Sequence, residues 1–311
     1  MRRYAHILAA MMLDERDRTT LGHVRHFVRA ANSEVVHFVH VLEPADYPED
    51  LDACLADYCA QEREEAERRL AELAGSAREL FGQETGAKHK LLEGSFALEI
   101  SRFAMEEESD LVALTVAEEP GRLGPSRDNA LRLLQDVPCS AFILPAGSKA
   151  EYRRILVPVD FSLGSREALD VAFAVATSVP GSSVTGVHVY SVPIGYHKTG
   201  QSYEEAAARM RKAAERRWEE MRSAVDARGI PLEMRFERGA NASEKILELS
   251  AAWSVDLIVM SSHGRTRPAT LLLGRTPEIV CARTDRPFLC VKRRGEVIGL
   301  LEALLRFLEL K

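Results

Sequence analysis

The chain repeats itself, and that repetition restricts its fold more than any other feature. Ile7-Leu8-Ala9-Ala10 returns as Ile155-Leu156-Val157-Pro158, and Val39-His40-Val41 as Val187-His188-Val189, each 148 positions later. Leu92-Glu93-Gly94 returns as Glu237-Arg238-Gly239 after 145 positions, and Asp110-Leu111-Val112 as Asp256-Leu257-Ile258 after 146. Ala141-Phe142-Ile143-Leu144 closes the series opposite Phe288-Leu289-Cys290-Val291. Landmarks in one order at a nearly constant offset describe two copies of one domain, and 311 residues suffice for both. The small, polar stretch Ala146-Gly-Ser-Lys-Ala150 reads as the join. The expected domains are 1–146 and 151–295. The tail 296–311 is expected to form an apolar helix, because Ile298, Leu301, Leu304, Leu305 and Leu308 recur at helical spacing. A helix that apolar should pack on its own body or on a neighbouring subunit.

Each half alternates short apolar runs with longer amphipathic ones. In the second half the strands are expected at Arg154–Val159, Ser183–Tyr190, Leu232–Arg238, Asp256–Met260 and Pro287–Lys292. The helices between them are expected at Ser165–Ser178, Tyr203–Arg228, Ala242–Trp253 and Thr276–Arg283, with Ser162 or Ser165 capping the first. In the first half Tyr58–Phe81 reads as one solvated crossover helix. Alternation of this kind builds an α/β fold of two tandem, doubly wound parallel sheets, since each parallel crossover needs a helix to bring the chain back. Ligands of such sheets lie off the carboxyl ends of the strands at the topological switch point. Asp160 and Ser261 sit at two such ends.

The segment from Asp256 to Thr276 carries the chemistry. Leu257-Ile258-Val259-Met260 is apolar without alternation, as a strand covered on both faces should be. The chain then offers Ser261, Ser262, His263, Gly264 and Arg265, and Gly274, Arg275 and Thr276 open a helix. The free amides and positive end of a helix start favour an anion. Arg265, Arg267 and Arg275 lie in this stretch, and no acidic residue lies between Asp256 and Glu278. This is where a phosphate is expected.

These residues resemble the nucleotide loop of the universal stress protein family, whose ATP-binding members carry G-x-x-G, nine residues, then G-[S/T]. Here Ser261-x-x-Gly264 is followed by nine residues and by Gly274-Arg275-Thr276. Ser261 replaces the first glycine, Arg275 stands in place of the small hydroxyl residue, and Pro268 lies within the loop. The resemblance implies an adenine-nucleotide α-hydrolase-like fold and ATP or a related adenine nucleotide as ligand. Asp160, at the strand end Pro158-Val159-Asp160, would lie beside adenine and ribose and help to hold Mg2+. Val189 would contact adenine through its backbone. Family members commonly pair through their last strands, so Ala141–Leu144 and Phe288–Val291 would form an internal pseudo-dimer, with a homodimer of the whole chain left open.

The first half departs from the motif. Glu118 falls opposite Gly264, the Arg127-Asp128 region replaces the second glycine, and Met12 falls opposite Asp160. Adjacent carboxylates repel a polyphosphate, so this half is expected to bind no nucleotide. A formal charge of −6 without a basic stripe argues against nucleic acid. Five scattered cysteines, Cys54, Cys59, Cys139, Cys281 and Cys290, argue against a disulfide framework or zinc site. With no signal-peptide core and no bilayer-spanning run, a cytoplasmic location is expected. Asn241-Ala-Ser243 is read as a helix cap. Two functional readings follow. One is a nucleotide-responsive binding module of the stress response; the other is a nucleotide-independent scaffold for a protein partner. A dedicated enzyme is disfavoured, because neither a Ser-Gly-Gly loop nor a His-x-Gly-His signature is present, while weak ATP hydrolysis with a metal at Asp160 is left open.

Overall fold

The computed structural model describes residues 3–43, 53–82, 84–117, 126–263 and 273–292. The tail 296–311 and the residues Glu118, Gly264, Arg265, Arg267 and Pro268 lie outside this set. The chain divides into two compact units, Met1–Ala150 and Glu151–Lys311.

In the first unit the order is β1 (His6–Ala10), α1 (Asp17–Ala31), β2 (Val35–Leu42), α2 (Ala53–Gly75), α3 (Ala77–Phe81), β3 (Gly86–Glu93), α4 (Phe96–Glu106), β4 (Leu111–Val116), α5 (Arg127–Asp136) and β5 (Ser140–Pro145). The second unit repeats it as β6 (Arg154–Pro158), α6 (Leu163–Ala176), β7 (Ser183–Tyr190), α7 (Tyr203–Arg222), β8 (Leu232–Arg238), α8 (Ala242–Ala252), β9 (Leu257–Ser261), α9 (Arg275–Arg283) and β10 (Phe288–Val291). The strands lie side by side as β3-β2-β1-β4-β5 in the first unit and β10-β9-β6-β7-β8 in the second. The pairings within each unit are parallel. In each unit the first strand is therefore central, and the order reverses beside it: the switch point lies between β1 and β4, and between β6 and β9.

Two helices differ from expectation. The expected helix Tyr58–Phe81 starts earlier and breaks near Gly75-Ser76, where the Ser76 hydroxyl donates to the Leu73 carbonyl. The expected helix Tyr203–Arg228 stops at Arg222. There the Ser223 hydroxyl turns back to the Glu220 carbonyl, and Arg228 and Gly229 follow at φ 51° and 76°. Asn241 caps α8 as expected, its Oδ1 accepting the Ser243 N–H at 3.0 Å.

The repeat extends to individual hydrogen bonds. Asp110 Oδ2 accepts the N–H groups of Ala5 and His6, at 2.8 and 3.0 Å. Asp256 Oδ2 accepts those of Arg153 and Arg154, at 3.0 and 2.9 Å. Each carboxylate thus ties the entry of a central strand to its neighbour. The Ser33 hydroxyl donates to the Tyr4 carbonyl and Ser182 to that of Tyr152. His40 Nδ1 donates to the Met11 carbonyl at 2.8 Å, and His188 Nδ1 to that of Val159 at 2.7 Å. Leu13 and Phe161, 148 apart, both adopt positive φ, 57° and 63°. Each core is built from the strands and the inner helix faces. Phe27 packs on Phe142 at 5.0 Å in the first unit, and Phe173, Phe288 and Tyr152 are fully buried in the second.

Candidate functional site

The two switch points are built differently. Between β1 and β4 the ladder runs from Ile7↔Leu111 to Ala10↔Leu114. Between β6 and β9 it comprises Ile155↔Leu257 and Leu156↔Ile258 and then ends. Pro158 supplies the reason. The Val159 N–H points to β7, where it meets the Val187 carbonyl, so the amide of the preceding residue would face β9. Proline has no N–H, and a central ladder cannot continue through it. The seam opens at the carboxyl end of β6, where Ala10 keeps its counterpart closed.

A cavity of about 680 Å³ occupies the opening. That volume suits a small-molecule ligand. Pro158, Val159 and Asp160 line it from β6, Val189 from β7, Ser261 and His263 from β9, and Gly274, Arg275 and Thr276 from the start of α9. Ser262 is not on the wall. It is buried and holds the loop: its N–H donates to the Val291 carbonyl, its carbonyl accepts the Gly274 N–H at 2.7 Å, and its hydroxyl lies 2.8 Å from His263 Nδ1. Asp160 combines two roles, lining the cavity while its Oδ1 accepts the Ser162 N–H at 3.0 Å.

Ser261 fits because of a glycine on the facing helix. A Cβ built on Gly164 would lie 2.5 Å from Ser261 Oγ and 3.0 Å from Ser261 Cβ. Ser261 occupies that space, and its hydroxyl donates to the His263 carbonyl. The extra side chain is thus packed against α6. At α9 the N-cap is Gly274, which has no side chain to offer, and Pro277 in the first turn has no N–H. The amides of Arg275 and Thr276 carry no side-chain cap. In the first unit the matching helix is capped by Ser126, whose hydroxyl accepts the Asn129 N–H.

Several wall residues carry no motif in the sequence: His188 on β7, Met210 and Arg217 on α7, and Ala242 and Ile246 on α8. The His188 ring lies 4.4 Å from that of Phe161. Asp160, Arg217 and Arg275 are the aspartate and arginines of the wall, so cationic charge is in excess among the described residues.

The first unit fills the corresponding place with its own side chains. Asp17 is buried, and its two oxygens accept the N–H groups of Met12 (2.7 Å) and Leu13 (2.9 Å). Burial is the main cause that pushes its carboxyl up to about 6; the two backbone hydrogen bonds oppose it, and nearby Asp14 adds to it. Arg16, 148 positions before Gly164, is buried and paired with Asp14 at 2.6 Å. An anion at the start of α1 is thus built into the chain.

Comparison with known proteins agrees with this architecture. The model of the universal stress protein family matches residues 3–145 and again residues 151–292. The chain belongs to the universal stress protein family and carries the domain twice. It is similar to universal stress protein MJ0577 of Methanocaldococcus jannaschii, with 27% identity over 159 residues, covering 46% of this chain and 97% of the relative. It is also similar to MJ0531 of that organism, with 27% identity over 144 residues, covering 46% of this chain and 83% of the relative. A universal stress protein structure from Archaeoglobus fulgidus superposes with a TM-score of 0.65 at 21% identity, covering 94% of this chain and 97% of the other. No helix among the described residues is long and apolar enough to cross a membrane.

Proposed function

We propose that the second unit binds ATP or a related adenine nucleotide and acts as a nucleotide-responsive binding module, while the first unit binds none. The observation that carries this reading is the open seam between β6 and β9, at the place where open parallel sheets take their ligands. Its β9 side supplies phosphate chemistry: the uncapped start of α9, Arg275 and the Thr276 hydroxyl. Its β6–β7 side supplies apolar strand ends, with Asp160 as acceptor for a sugar hydroxyl. One carboxylate together with phosphate oxygens is also the usual way of holding Mg2+, so Asp160 fits that ion when nucleotide is present. Nucleotide occupancy would then alter the surface that a protein partner reads.

Titration calorimetry of the full chain with ATP and Mg2+ tests this. The expected result is one saturable site per chain. Folded protein that releases no heat at millimolar ATP would refute it. The scaffold reading draws on a separate observation, the closure of the first unit by Asp14, Arg16 and Asp17. In the proposed arrangement that half serves pairing and partner recognition.

A further inference from the structure

The cavity has a cation on the wall opposite α9. The buried stripe of α2, Ala66 and Leu70, corresponds at an offset of 148 to Ala214 and Trp218 on α7. The same offset matches Arg69 with Arg217 and Glu65 with Ala213. Arg69 is fully engaged: its Nε pairs with Glu65 Oε1 at 2.6 Å, and its NH1 donates to the Leu13 carbonyl at 3.0 Å. Leu13 is the positive-φ residue of the turn after β1, so this arginine reaches from the crossover helix over the carboxyl end of the central strand. In the second unit the tether is gone, because alanine stands where Glu65 does. Arg217 has no hydrogen-bond or ion-pair partner among the described residues, and it lines the cavity. The corresponding turn follows Asp160 and contains Phe161, the counterpart of Leu13.

We infer that Arg217 is a specificity-determining residue that contacts the nucleoside end of the ligand, an inference that rests on the nucleotide-binding reading. The phosphate-directed groups, Gly274, Arg275 and Thr276, lie on the β9 side. α7 joins β7 to β8, on the other side of β6, and brings Met210 to the cavity on the same helix face seven residues before Arg217. A planar guanidinium beside a soft apolar side chain suits a flat, neutral, nitrogen-rich base. The structure therefore assigns Arg275 to phosphate and Arg217 to base.

Calorimetry with adenosine and with ATP, on the full chain and on Arg217→Ala, separates the possibilities. Arg217→Ala is expected to weaken both ligands by the same factor, about tenfold. Its melting transition should match the parent, since the residue is exposed and has no hydrogen-bond or ion-pair partner among the described residues. Arg217→Lys keeps the charge but not the planar fork, and is expected to weaken both ligands too. A loss confined to ATP would place Arg217 at the phosphates and overturn the assignment, as would unchanged affinity or full recovery with lysine. A parent chain that binds neither ligand would remove the functional reading itself, and the assignment with it.

Discussion

Replacing Gly164 by alanine should destabilise the second unit, although alanine is the better helix former. Gly164 is the second residue of α6, where the exchange alone is worth up to about 1 kcal/mol in favour of alanine. The new methyl would lie 2.5 Å from Ser261 Oγ, 3.0 Å from Ser261 Cβ and 3.3 Å from the His263 carbonyl oxygen. Relief requires β9 and α6 to separate or the hydroxyl to leave its acceptor. Overpacking costs about 1–3 kcal/mol, and a lost hydrogen bond adds about 1. The net expectation is a loss of about 1–3 kcal/mol. With Ser261→Gly in place, the two nearest atoms vanish and the nearest remaining neighbour is the His263 oxygen. There Gly164→Ala should be neutral or stabilising by up to about 1 kcal/mol, so the sign reverses. Urea unfolding followed by tryptophan fluorescence measures this on the full chain. The chain has two tryptophans, Trp218 and Trp253, both in the second unit. A stable single variant, or a double variant no better than the single, would refute the packing argument.

Three further outcomes follow from the same geometry. Pro158→Ala restores an N–H facing β9; it should extend the ladder towards the register of Ala10↔Leu114 and weaken ATP binding by about tenfold or more, read by calorimetry. Unchanged affinity would show that the seam does not depend on proline. In the first unit, burial pushes the Asp17 carboxyl up to about 6, above its unfolded value, so its contribution to stability is complete below about pH 4 and is lost as pH rises through about 6. Urea midpoints read by hydrogen exchange in α1 should fall across that window by an amount on the order of 3 kcal/mol, and Asp17→Asn should flatten the slope; an equally steep slope in the variant would contradict the assignment. At neutral pH Asp17→Asn trades a lost loop acceptor, costing about 1–3 kcal/mol, against relief of the buried charge, worth on the order of 3 kcal/mol, so the variant should match the parent or exceed it by up to about 2 kcal/mol; a clear loss on the same unfolding curves would contradict this.

The fold was legible because its signals are local and periodic. Strands Ser183–Tyr190 and Leu232–Arg238 coincide with their apolar and alternating runs residue for residue. The duplication follows from spacing, and the Asn241 cap from residue type at a helix start. Helix ends are less legible: α7 stops at Arg222, ahead of the positive-φ pair Arg228 and Gly229, and no periodicity records that. In the candidate site, the run from Ser261 to Thr276 is legible because its serines, glycines and arginines are contiguous in the chain. Pro158, Asp160 and Val189, which line the same cavity, are singled out in the sequence by resemblance to the family.

What tertiary structure alone decided lies between distant residues. Pro158 is an ordinary strand-end proline until the register shows that its missing N–H faced β9. Ser261 looks like a defect until Gly164, on another helix, is seen to make room for it. Arg217 is one arginine among many on a charged helix, and only its loss of the Glu65-type tether and its place on the cavity wall distinguish it. Periodicity along a chain reports which face each segment buries. Which side chains then meet depends on register and helix placement, which are set by contacts between residues dozens of positions apart.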